Sequence, residues 1–460
     1  MKDLRGKRAT VWGLGLFGGG VAAARFLHEQ GAEVTVIDTK PAAALESSVR
    51  ALAGLGLRYR LGIPHEEEDL LGAELVVASP AIPPRNPWLA RLEAAGVLVT
   101  SEIALALAQV RVPYAAVTGS KGKTTTASLL GRMLAGDGRR VAVAGNNERP
   151  LLDALRQEPE LLVLELSSFM ATAIERARRQ GAVFPRPGVQ VFTRLSPEHL
   201  DWHGTQEHYY GAKLSLLELE PGAVVIPAGA SELEERAGSR GPLRVRCDAA
   251  PREAGELGVR DGWCVRRAGR EDEPVFPLEA LSLLGAHNRE NALLAAAGAL
   301  ALGATPAGIE AGARAFRPLE HRLETVAERG GLRFIDDSTA TTPEAAIAAL
   351  RAAPKPVVLL AGGSDKGACY GELGAVAAQE AAATVCLGVV GERIAQAVEA
   401  AGGRAVRVSG GFEEAFQAGL ERCGAAGSLL LSPAAASYDM FANFKARGRR
   451  FRELAQAASA

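Results

Sequence analysis

The sequence has few cysteines, no long apolar run and almost no net charge. Its five cysteines are scattered and odd in number, which indicates free thiols in a reducing compartment rather than a disulfide framework. No apolar run is long enough to span a membrane, and no apolar leader precedes the first strand. With a formal net charge of −1, the protein lacks the positive electrostatic field that attracts nucleic acids or anionic membranes. The sequence therefore predicts a cytoplasmic protein that binds neither nucleic acids nor membranes.

Length and patterning predict several α/β domains. The chain has 460 residues, more than a single domain usually holds. Strand and helix patterns alternate, which is typical of layers built on largely parallel sheets. We expect a Rossmann-like domain over 1–110, a central P-loop-type domain over 111–318 and a second Rossmann-like domain over 319–460. We also expect surface strands and loops at 230–273.

Apolar segments of the third domain predict its strands. We expect these strands at 357–360, 385–389 and 428–431. Strands throughout the chain end at Gly, Ser or Asp, and ligands in open α/β sheets lie beyond the carboxyl ends of strands. The strand ends are therefore the places to search for a site.

The most informative stretch reads AVTGSKGKTTT over 116–126. An apolar run breaks into a glycine turn, and a segment with helical period follows. Backbone N–H groups of such a turn point at an anion, Lys123 adds a point charge, and the Thr124 hydroxyl can bind Mg²⁺. Gly119 and Gly122 lie closer together than the glycines of the standard P-loop. The stretch predicts a phosphate site, and the alternative is a turn that only opens a helix.

A second glycine motif, near the N-terminus, indicates another nucleotide. Residues 13–18 read GLGLFG, which satisfies G-x-G-x-x-G after a strand, and Asp38 ends the next strand as in a dinucleotide site. The glycines indicate only that the backbone approaches a ligand closely and that the helix packs tightly. Three interpretations stay open: a dinucleotide such as NAD, another nucleotide diphosphate, or a structural turn.

Ionisable side chains follow the phosphate loop. Glu165 ends an apolar strand, where a Mg²⁺ ligand is expected, although a salt-bridged carboxylate is the alternative. Three histidines come next, without cysteines and without the spacing of a zinc site. We expect His199 near Mg²⁺, and His203 and His208 facing solvent. Lys213 lies in a helical segment, where a lone lysine is usually a solvated charge.

Eight short motifs together resemble the Mur ligase family. They are TGSKGKTTT (118–126), LELSSF (164–169), SPEHLD (196–201), GAKL (211–214), GAHNREN (285–291), EHR (320–322), DDSTATTP (336–343) and SPAAASYDMFANF (432–444). Their order over most of the chain is more specific than any one of them. In that family, ATP phosphorylates a substrate carboxylate, and an amino acid's amine then attacks the acyl phosphate. The resemblance is strongest to members that join D-glutamate to UDP-N-acetylmuramoyl-L-alanine.

The resemblance implies a role for each motif. The ATP contacts would be Gly119, Ser120, Lys121, Gly122, Lys123, Thr124, Thr125, Asn288, Asn291, Arg322 and Asp337. The Mg²⁺ ligands would be Thr124, Glu165, His199 and a carbamylated Lys213. The catalytic residues would be Lys123, Glu165, His199 and Lys213. The UDP-substrate contacts would be Leu16, Phe17, Thr39, Lys40, Ser79 and Asn146. The amino-acid contacts would be Thr341, Lys366, Ser437 and Phe444. We expect a monomer whose domains close on ATP.

Two segments depart from the family pattern. Thr339 stands where D-glutamate members commonly carry a lysine, and residues 145–148 read GNNE instead of GNIG. Lys366 can supply the cation that a second substrate carboxylate needs, unless it is only a solvated loop lysine. Three function classes remain: a Mur-type ligase for D-glutamate or another amino acid, a P-loop switch ATPase, and a nicotinamide dehydrogenase.

Overall fold

The computed structural model describes residues 3–64, 66–146 and 149–459. The chain divides into two compact units, Met1–Ala280 with Glu290–Ala315, and Leu281–Arg289 with Phe316–Ala460. The first unit holds two sheets and the second holds one. Asn147 and Glu148, which alter the family motif, lie outside the described residues.

The first sheet has five parallel strands in the order β3-β2-β1-β4-β5. The strand order reverses beside β1, and such a switch point is where open α/β sheets bind ligands. The loops after β1 and β4 therefore meet at one edge. The elements are β1 (Arg8–Trp12), α1 (Gly19–Glu29), β2 (Glu33–Asp38), α2 (Glu46–Ala51), β3 (Arg58–Leu61), α3 (Glu67–Leu71), β4 (Leu75–Ala78), α4 (Pro87–Ala94), β5 (Leu98–Thr100) and α5 (Glu102–Leu107). We call this part the first domain.

The second sheet has nine strands in the order β14-β13-β12-β11-β10-β9-β6-β8-β7, parallel from β7 to β12 with antiparallel β13 and β14 at its edge. The strands are β6 (Tyr114–Thr118), β7 (Val141–Gly145), β8 (Leu161–Glu165), β9 (Val189–Phe192), β10 (Ala223–Pro227), β11 (Leu243–Val245), β12 (Leu257–Arg260), β13 (Trp263–Ala268) and β14 (Glu271–Pro277). The helices are α6 (Lys123–Ala135), α7 (Leu151–Leu155), α8 (Ser168–Arg179), α9 (Leu200–His203), α10 (Gln206–Leu214), α11 (Ser231–Ala237), α12 (Ala286–Ala301) and α13 (Pro306–Ala315). We call this part the middle domain.

Two features of the middle domain bear on the sequence predictions. Every residue of β6 is buried, as expected for a central strand covered on both faces. The stretch 230–273 contains the predicted strands, but it also contains α11, which the sequence did not predict. β6 pairs with β8 on one side and β9 on the other, so their carboxyl ends meet at one edge.

The third sheet has six strands in the order β15-β16-β20-β17-β18-β19, parallel except for edge strand β15. The strands are β15 (Glu324–Arg329), β16 (Leu332–Asp336), β17 (Val357–Gly362), β18 (Ala381–Leu387), β19 (Ala405–Arg407) and β20 (Gly427–Leu431). The helices are α14 (Pro343–Ala352), α15 (Gly371–Glu380), α16 (Gly391–Ala400), α17 (Phe412–Leu420) and α18 (Phe444–Ser459). We call this part the third domain.

Two of the three predicted strands of the third domain are confirmed. The prediction for 385–389 is wrong at both ends, because β18 begins at Ala381 and stops at Leu387. The chain turns at Gly388, whose φ is +72°, and leaves Val389 exposed. Apolar side chains alone thus extended the prediction past a glycine that ends the strand. None of the described helices is both long and apolar enough to cross a bilayer.

A buried carboxyl group links the first and middle domains. Glu102, at the start of α5, accepts a hydrogen bond from the Leu152 N–H (2.8 Å) at the start of α7. Burial raises its pKa to about 7, and the N–H groups of Leu152 and Leu151 oppose that shift by favouring the charged form. The interface therefore contains a polar group that is costly to ionise.

We predict that Glu102→Gln stabilises the protein at pH 8 and not at pH 4. The pKa of Glu102 in the folded state lies above its ordinary value of 4.5, so the unfolded chain ionises first. Folding stability then falls as pH rises from about 4.5 to about 7 and stays lower above that range. Removing this cost should add about 1–3 kcal/mol to the free energy of unfolding at pH 8. Urea unfolding of the parent protein and the variant at both pH values measures this change in the free energy of unfolding.

The exposed carboxylate of Glu46 provides the control for this prediction. Glu46→Gln should change the free energy of unfolding little at either pH. An equal effect of Glu102→Gln at pH 4 and pH 8 would contradict the assignment of a raised pKa.

Candidate active site

The loop between β6 and α6 is a backbone cradle that only glycine permits. Gly119 has a φ of +146° and Gly122 a φ of +86°, in the region that side chains rarely adopt. A Cβ on Gly119 would collide with Thr193 Oγ1, and one on Gly122 with Asn291 Oδ1. The first turn of α6 follows at once, so its unsatisfied N–H groups and this loop can bind a phosphate together.

Lys123 and Thr124 begin α6 at this cradle. The Lys123 Nζ donates to the Ser120 carbonyl (2.6 Å), and Thr124 Oγ1 donates to Glu165 Oε1 (3.2 Å). Thr125 is buried in the same turn. The predicted cation and hydroxyl thus lie at the phosphate loop, and the hydroxyl touches the predicted carboxylate.

Glu165 is a buried carboxylate whose hydrogen bonding is incomplete. Its Oε1 accepts from Thr124 Oγ1 and from Asn146 Nδ2 (3.0 Å). Its Oε2 is also buried, and no partner for it exists among the described residues. An ionised carboxylate out of water needs a cation, and carboxylate and hydroxyl oxygens are the ligands that Mg²⁺ prefers. Glu165 and Thr124 therefore fit a divalent metal.

Lys213 is not a solvated charge but a buried amine beside the same loop. Only 1% of it is exposed, its Nζ donates to the Gly119 carbonyl (2.7 Å), and it lies 4.6 Å from the centre of the Tyr209 ring. Burial, with the charge of Lys123, lowers its pKa to about 7 against the opposing charges of Glu198 and Glu165. A large share of Lys213 is therefore a neutral amine near pH 7.

The sequence did not predict the network of hydrogen bonds and an ion pair that holds the residues of the cradle. The Tyr209 hydroxyl donates to Ser120 Oγ (2.9 Å), which donates to the Ser196 carbonyl (2.7 Å). Lys121, next in the loop, forms an ion pair with Glu198. One signal was available for Tyr209: it lies four residues before Lys213 on α10, and such pairs share a helix face.

The three histidines divide between buried and exposed positions. His199 has a φ of +53° and lies directly before α9, and its ring centre lies 4.9 Å from that of Phe169. Burial lowers its pKa. His208 is exposed, as predicted. The prediction that His203 faces solvent is wrong: it is buried, with its Nε2 2.9 Å from Ser168 Oγ and a pKa lowered to about 4 by burial. The single turn of α9 carries it inward.

The glycine motif of the first domain borders a cavity of about 450 Å³. Ser79, Asn146 and Phe169 line other parts of it, and the exposed Phe17 stands at its edge. A Cβ on Gly13 would lie 2.7 Å from the Ser79 Cβ, so this approach requires glycine. The space suits a ligand held against backbone.

Polar groups at the end of β2 complete the glycine loop. The Asp38 carboxylate accepts hydrogen bonds from the N–H groups of Gly15 (3.1 Å) and Lys40 (2.9 Å). It therefore shapes the loop itself. Thr39 and Lys40 are exposed beside it, and Leu16 is half exposed.

In the third domain, the predicted amino-acid contacts lie on three loops at one sheet edge. Ser364 pairs with Ala436, and the Ala434 N–H donates to the Ala340 carbonyl (2.9 Å), so the loops after β16, β17 and β20 are joined. These loops carry Thr341, Lys366 and Ser437, and Phe444 is the first residue of α18, which follows the loop after β20. Lys366 is exposed, whereas Ser437 is buried.

A buried arginine that the sequence analysis missed lies under these loops. Arg447 of α18 is 2% exposed and donates to Ser338 Oγ (3.0 Å), the Ser338 carbonyl (3.0 Å) and the Ala435 carbonyl (3.2 Å). Burial lowers its pKa to about 10, so it stays charged at neutral pH. Thr339 donates instead to the His321 carbonyl (2.9 Å).

The remaining predicted ATP contacts are distributed over both units. Asn291 of α12 is buried and accepts from Thr126 Oγ1 (3.3 Å), and Asn288 donates to the Leu284 carbonyl (2.8 Å). In the third domain Arg322 is exposed, and Asp337 is buried with a pKa raised to about 7 by burial.

Three family models match successive parts of the chain. They are a Mur ligase MurD-like N-terminal domain over 7–101, a Mur ligase middle domain over 117–299 and a Mur ligase glutamate ligase domain over 321–435. The chain belongs to the Mur ligase family. Mur ligases are ATP-dependent, so this one uses ATP with a divalent metal.

Full-length relatives and solved structures agree with this assignment. This Mur ligase is 37% identical over 475 residues to a protein of Roseiflexus sp., covering 99% of each chain, and 38% identical to one of Gloeobacter violaceus, covering 97% and 98%. Both are named UDP-N-acetylmuramoylalanine--D-glutamate ligase. UDP-N-acetylmuramate-alanine ligase MurC from Thermotoga maritima shares the fold, with a TM-score of 0.59, 19% identity and coverage of 98% and 100%.

We predict that Lys123→Ala removes ATP turnover while the protein stays folded. The ammonium group donates to the Ser120 carbonyl of the loop that it serves, and its charge lies at the phosphate cradle rather than in the apolar core. Loss of one charge that stabilises a phosphoryl transfer should lower kcat at least about 100-fold. Phosphate release measures the effect, and the melting temperature checks the fold.

Lys355 offers a charge-matched control, because it pairs with Glu380 (2.9 Å) on the surface of the third domain. Lys355→Ala should turn over ATP normally. Normal turnover in Lys123→Ala would show that the phosphate site lies elsewhere.

Proposed function

We propose that this Mur ligase joins D-glutamate to UDP-N-acetylmuramoyl-L-alanine through an acyl phosphate, in cytoplasmic peptidoglycan precursor synthesis. The observation that carries the reaction type is the phosphate cradle with Glu165 and Lys213 at its two sides. The names of the full-length relatives supply the two substrates. A switch ATPase would leave the cavity of the first domain and the loops of the third domain without a role. A dehydrogenase would leave the phosphate cradle without one.

The first step is transfer of the ATP γ-phosphate to the substrate carboxylate. Both groups are anions, so cations and N–H donors must offset their repulsion. The backbone of 119–124 and Lys123 face the phosphates, and Thr124 and Glu165 would hold Mg²⁺. When bound, the metal neutralises charge on the β- and γ-phosphate oxygens. Asn288, Asn291, Arg322 and Asp337 remain proposed contacts of the same nucleotide.

Lys213 supports the proposal of a second metal ligand formed by carbamylation. The lone pair of the neutral amine attacks the carbon of CO₂, the nitrogen loses a proton, and the lysine becomes an anionic carbamate. This reaction needs an uncharged amine, which burial of Lys213 favours by lowering its pKa to about 7. The carbamate would bind Mg²⁺ together with His199, whose lowered pKa keeps the imidazole neutral and able to bind a metal.

The second step is attack of the D-glutamate amine on the acyl phosphate. D-Glutamate carries a second carboxylate, and Lys366 provides an exposed cation for it at the loop edge of the third domain. Thr341, the Ser437 hydroxyl and the Phe444 backbone would complete that site. Thr339 brings no charge, and its hydroxyl donates to the His321 carbonyl.

The UDP-linked substrate would occupy the cavity of the first domain. Its diphosphate would lie against the glycine loop, with Leu16, Phe17, Thr39 and Lys40 around the uridine and Ser79 at the opposite wall. The Asn146 side chain lines this cavity and also donates to Glu165 Oε1, so the sugar-peptide end and the metal ligand have a common neighbour. We propose that the enzyme acts as a monomer.

We expect phosphate release to require D-glutamate. The protein is incubated with ATP, Mg²⁺, UDP-N-acetylmuramoyl-L-alanine and one amino acid at a time, and phosphate is measured. D-Glutamate should give the fastest release, and L-glutamate serves as the stereochemical control. Release that needs no amino acid would favour a switch ATPase, and dependence on L-alanine or a diamino acid would place the enzyme elsewhere in the family.

We predict that Lys213→Ala lowers kcat at least about 100-fold and that small carboxylic acids restore part of it. Formate or acetate can enter the space left by the side chain and replace the carbamate oxygens, whereas bicarbonate should not restore activity. Lys213→Arg is the matched variant, since it fills the space but cannot form this carbamate, and it should stay inactive with added acid. Full activity of either variant without added acid would exclude the carbamate.

A further inference from the structure

A contact between the first and middle domains lies directly beside His199. Arg85 follows β4, and its guanidinium donates to the carbonyls of Asp201 (2.6 Å) and Trp202 (3.3 Å) in α9. The Trp202 indole N–H donates in return to the Ala81 carbonyl (3.3 Å). Three hydrogen bonds thus join the loop after β4 to α9. We call these two side chains with their acceptors the Arg85–Trp202 latch.

The latch satisfies backbone groups that α9 cannot satisfy itself. A helix leaves its last four carbonyls without partners, and α9 has only four residues. Arginine side chains commonly bind such carbonyls. Within the described residues, no carboxylate lies within ion-pair distance of Arg85, so these carbonyls are its hydrogen-bond acceptors. The placement of α9 therefore depends on the first domain.

One end of the latch controls the surroundings of His199. The N–H groups of Trp202 (3.1 Å) and His203 (2.9 Å) donate to the His199 carbonyl. The Trp202 ring centre lies 4.5 Å from that of Phe169, which lies 4.9 Å from that of His199. Fixing α9 thus fixes both the backbone of His199 and the aromatic wall against its imidazole.

The other end of the latch is Ala81, which lines the substrate cavity. Ser79 and Ala81 both line the cavity. They share one turn, in which Ser79 Oγ accepts from the Ala81 N–H (3.3 Å) and the Ser79 carbonyl accepts from the Ile82 N–H (3.0 Å). A ligand that orders this turn also orders the carbonyl that holds Trp202.

We propose that Arg85 and Trp202 are positioning residues that couple filling of this cavity by the UDP-linked substrate to placement of His199 for its divalent metal. The inference rests on the proposed function. By linkage, substrate and metal strengthen each other's binding by the same factor. The metal site then becomes complete when the carboxylate that accepts the phosphoryl group is present, which limits loss of ATP to water.

The test measures metal binding rather than turnover. Mn²⁺ replaces Mg²⁺, and free Mn²⁺ is followed by electron paramagnetic resonance with the full chain and a non-hydrolysable ATP analogue, with and without UDP-N-acetylmuramoyl-L-alanine. The parent protein should bind Mn²⁺ more tightly when the UDP substrate is present. In Trp202→Phe and Arg85→Ala this enhancement should fall about threefold to tenfold.

The variants separate coupling from folding. Trp202→Phe keeps an aromatic ring at the position that packs against Phe169 and loses the N–H that reaches Ala81, together with part of the indole ring. Arg91→Ala is the control, because Arg91 is a surface arginine of the same domain that lies 4.2 Å over Trp88. If Arg85→Ala lowers the melting temperature, the enhancement of Mn²⁺ binding in Trp202→Phe decides whether the latch couples the two sites. The double variant should lose little more coupling than either single variant, since both act on one contact.

Each outcome has one meaning. A substrate enhancement that persists in both variants, or that is absent from the parent, overturns the latch. Enhancement that falls in both variants and not in Arg91→Ala supports it. The proposed function is judged separately by D-glutamate-dependent phosphate release from the parent, so a protein that ligates normally but shows no coupling refutes the latch alone.

Discussion

The buried negative charge of Glu165 is the constraint on which the site depends. One carboxylate oxygen accepts from the neutral groups of Thr124 and Asn146, and the other has no partner among the described residues. The buried Lys213 contributes only part of a countercharge, because burial and the charge of Lys123 lower its pKa to about 7. A carboxylate in this position is stabilised when a cation joins it. The buried Glu165 Oε2, which has no partner among the described residues, is therefore the atom that a divalent metal can satisfy.

Sheet topology explains why these groups converge although they are distant in sequence. β6 pairs in parallel with β8 and β9, so the glycine loop, Glu165 and Thr193 leave the sheet at the same edge. The first sheet repeats the arrangement, since the loops after β1 and β4 meet at its switch point and border the substrate cavity. Loops at the ends of parallel strands thus form the candidate site in each sheet.

The sequence predicted what short motifs encode and missed what tertiary contacts decide. The strand, glycine turn and helix at 114–135, the position of Glu165 at a strand end and the α/β class follow from local patterns, and the structure confirms them. The burial of His203 does not follow, because it depends on α9 packing against Ser168 of another helix. Arg85 and Trp202 are 117 residues apart in the chain, and no local pattern relates them. The charge of Arg447 was equally hidden, since a lysine- and arginine-rich helix usually faces solvent.

Arg447 also bears on the missing lysine at position 339. The guanidinium is buried against neutral acceptors of Ser338 and Ala435, which belong to two loops of the amino-acid edge. A charge in a weakly polar interior acts over a longer distance than a charge in water. The charges of Asp336 and Asp439 act on Arg447, so what Arg447 supplies to the loops that carry Ser338 and Ala435 is its hydrogen bonds rather than a net positive potential. In the proposed function Lys366 would therefore supply the direct contact to the carboxylate, while Arg447 holds together the loops beside it.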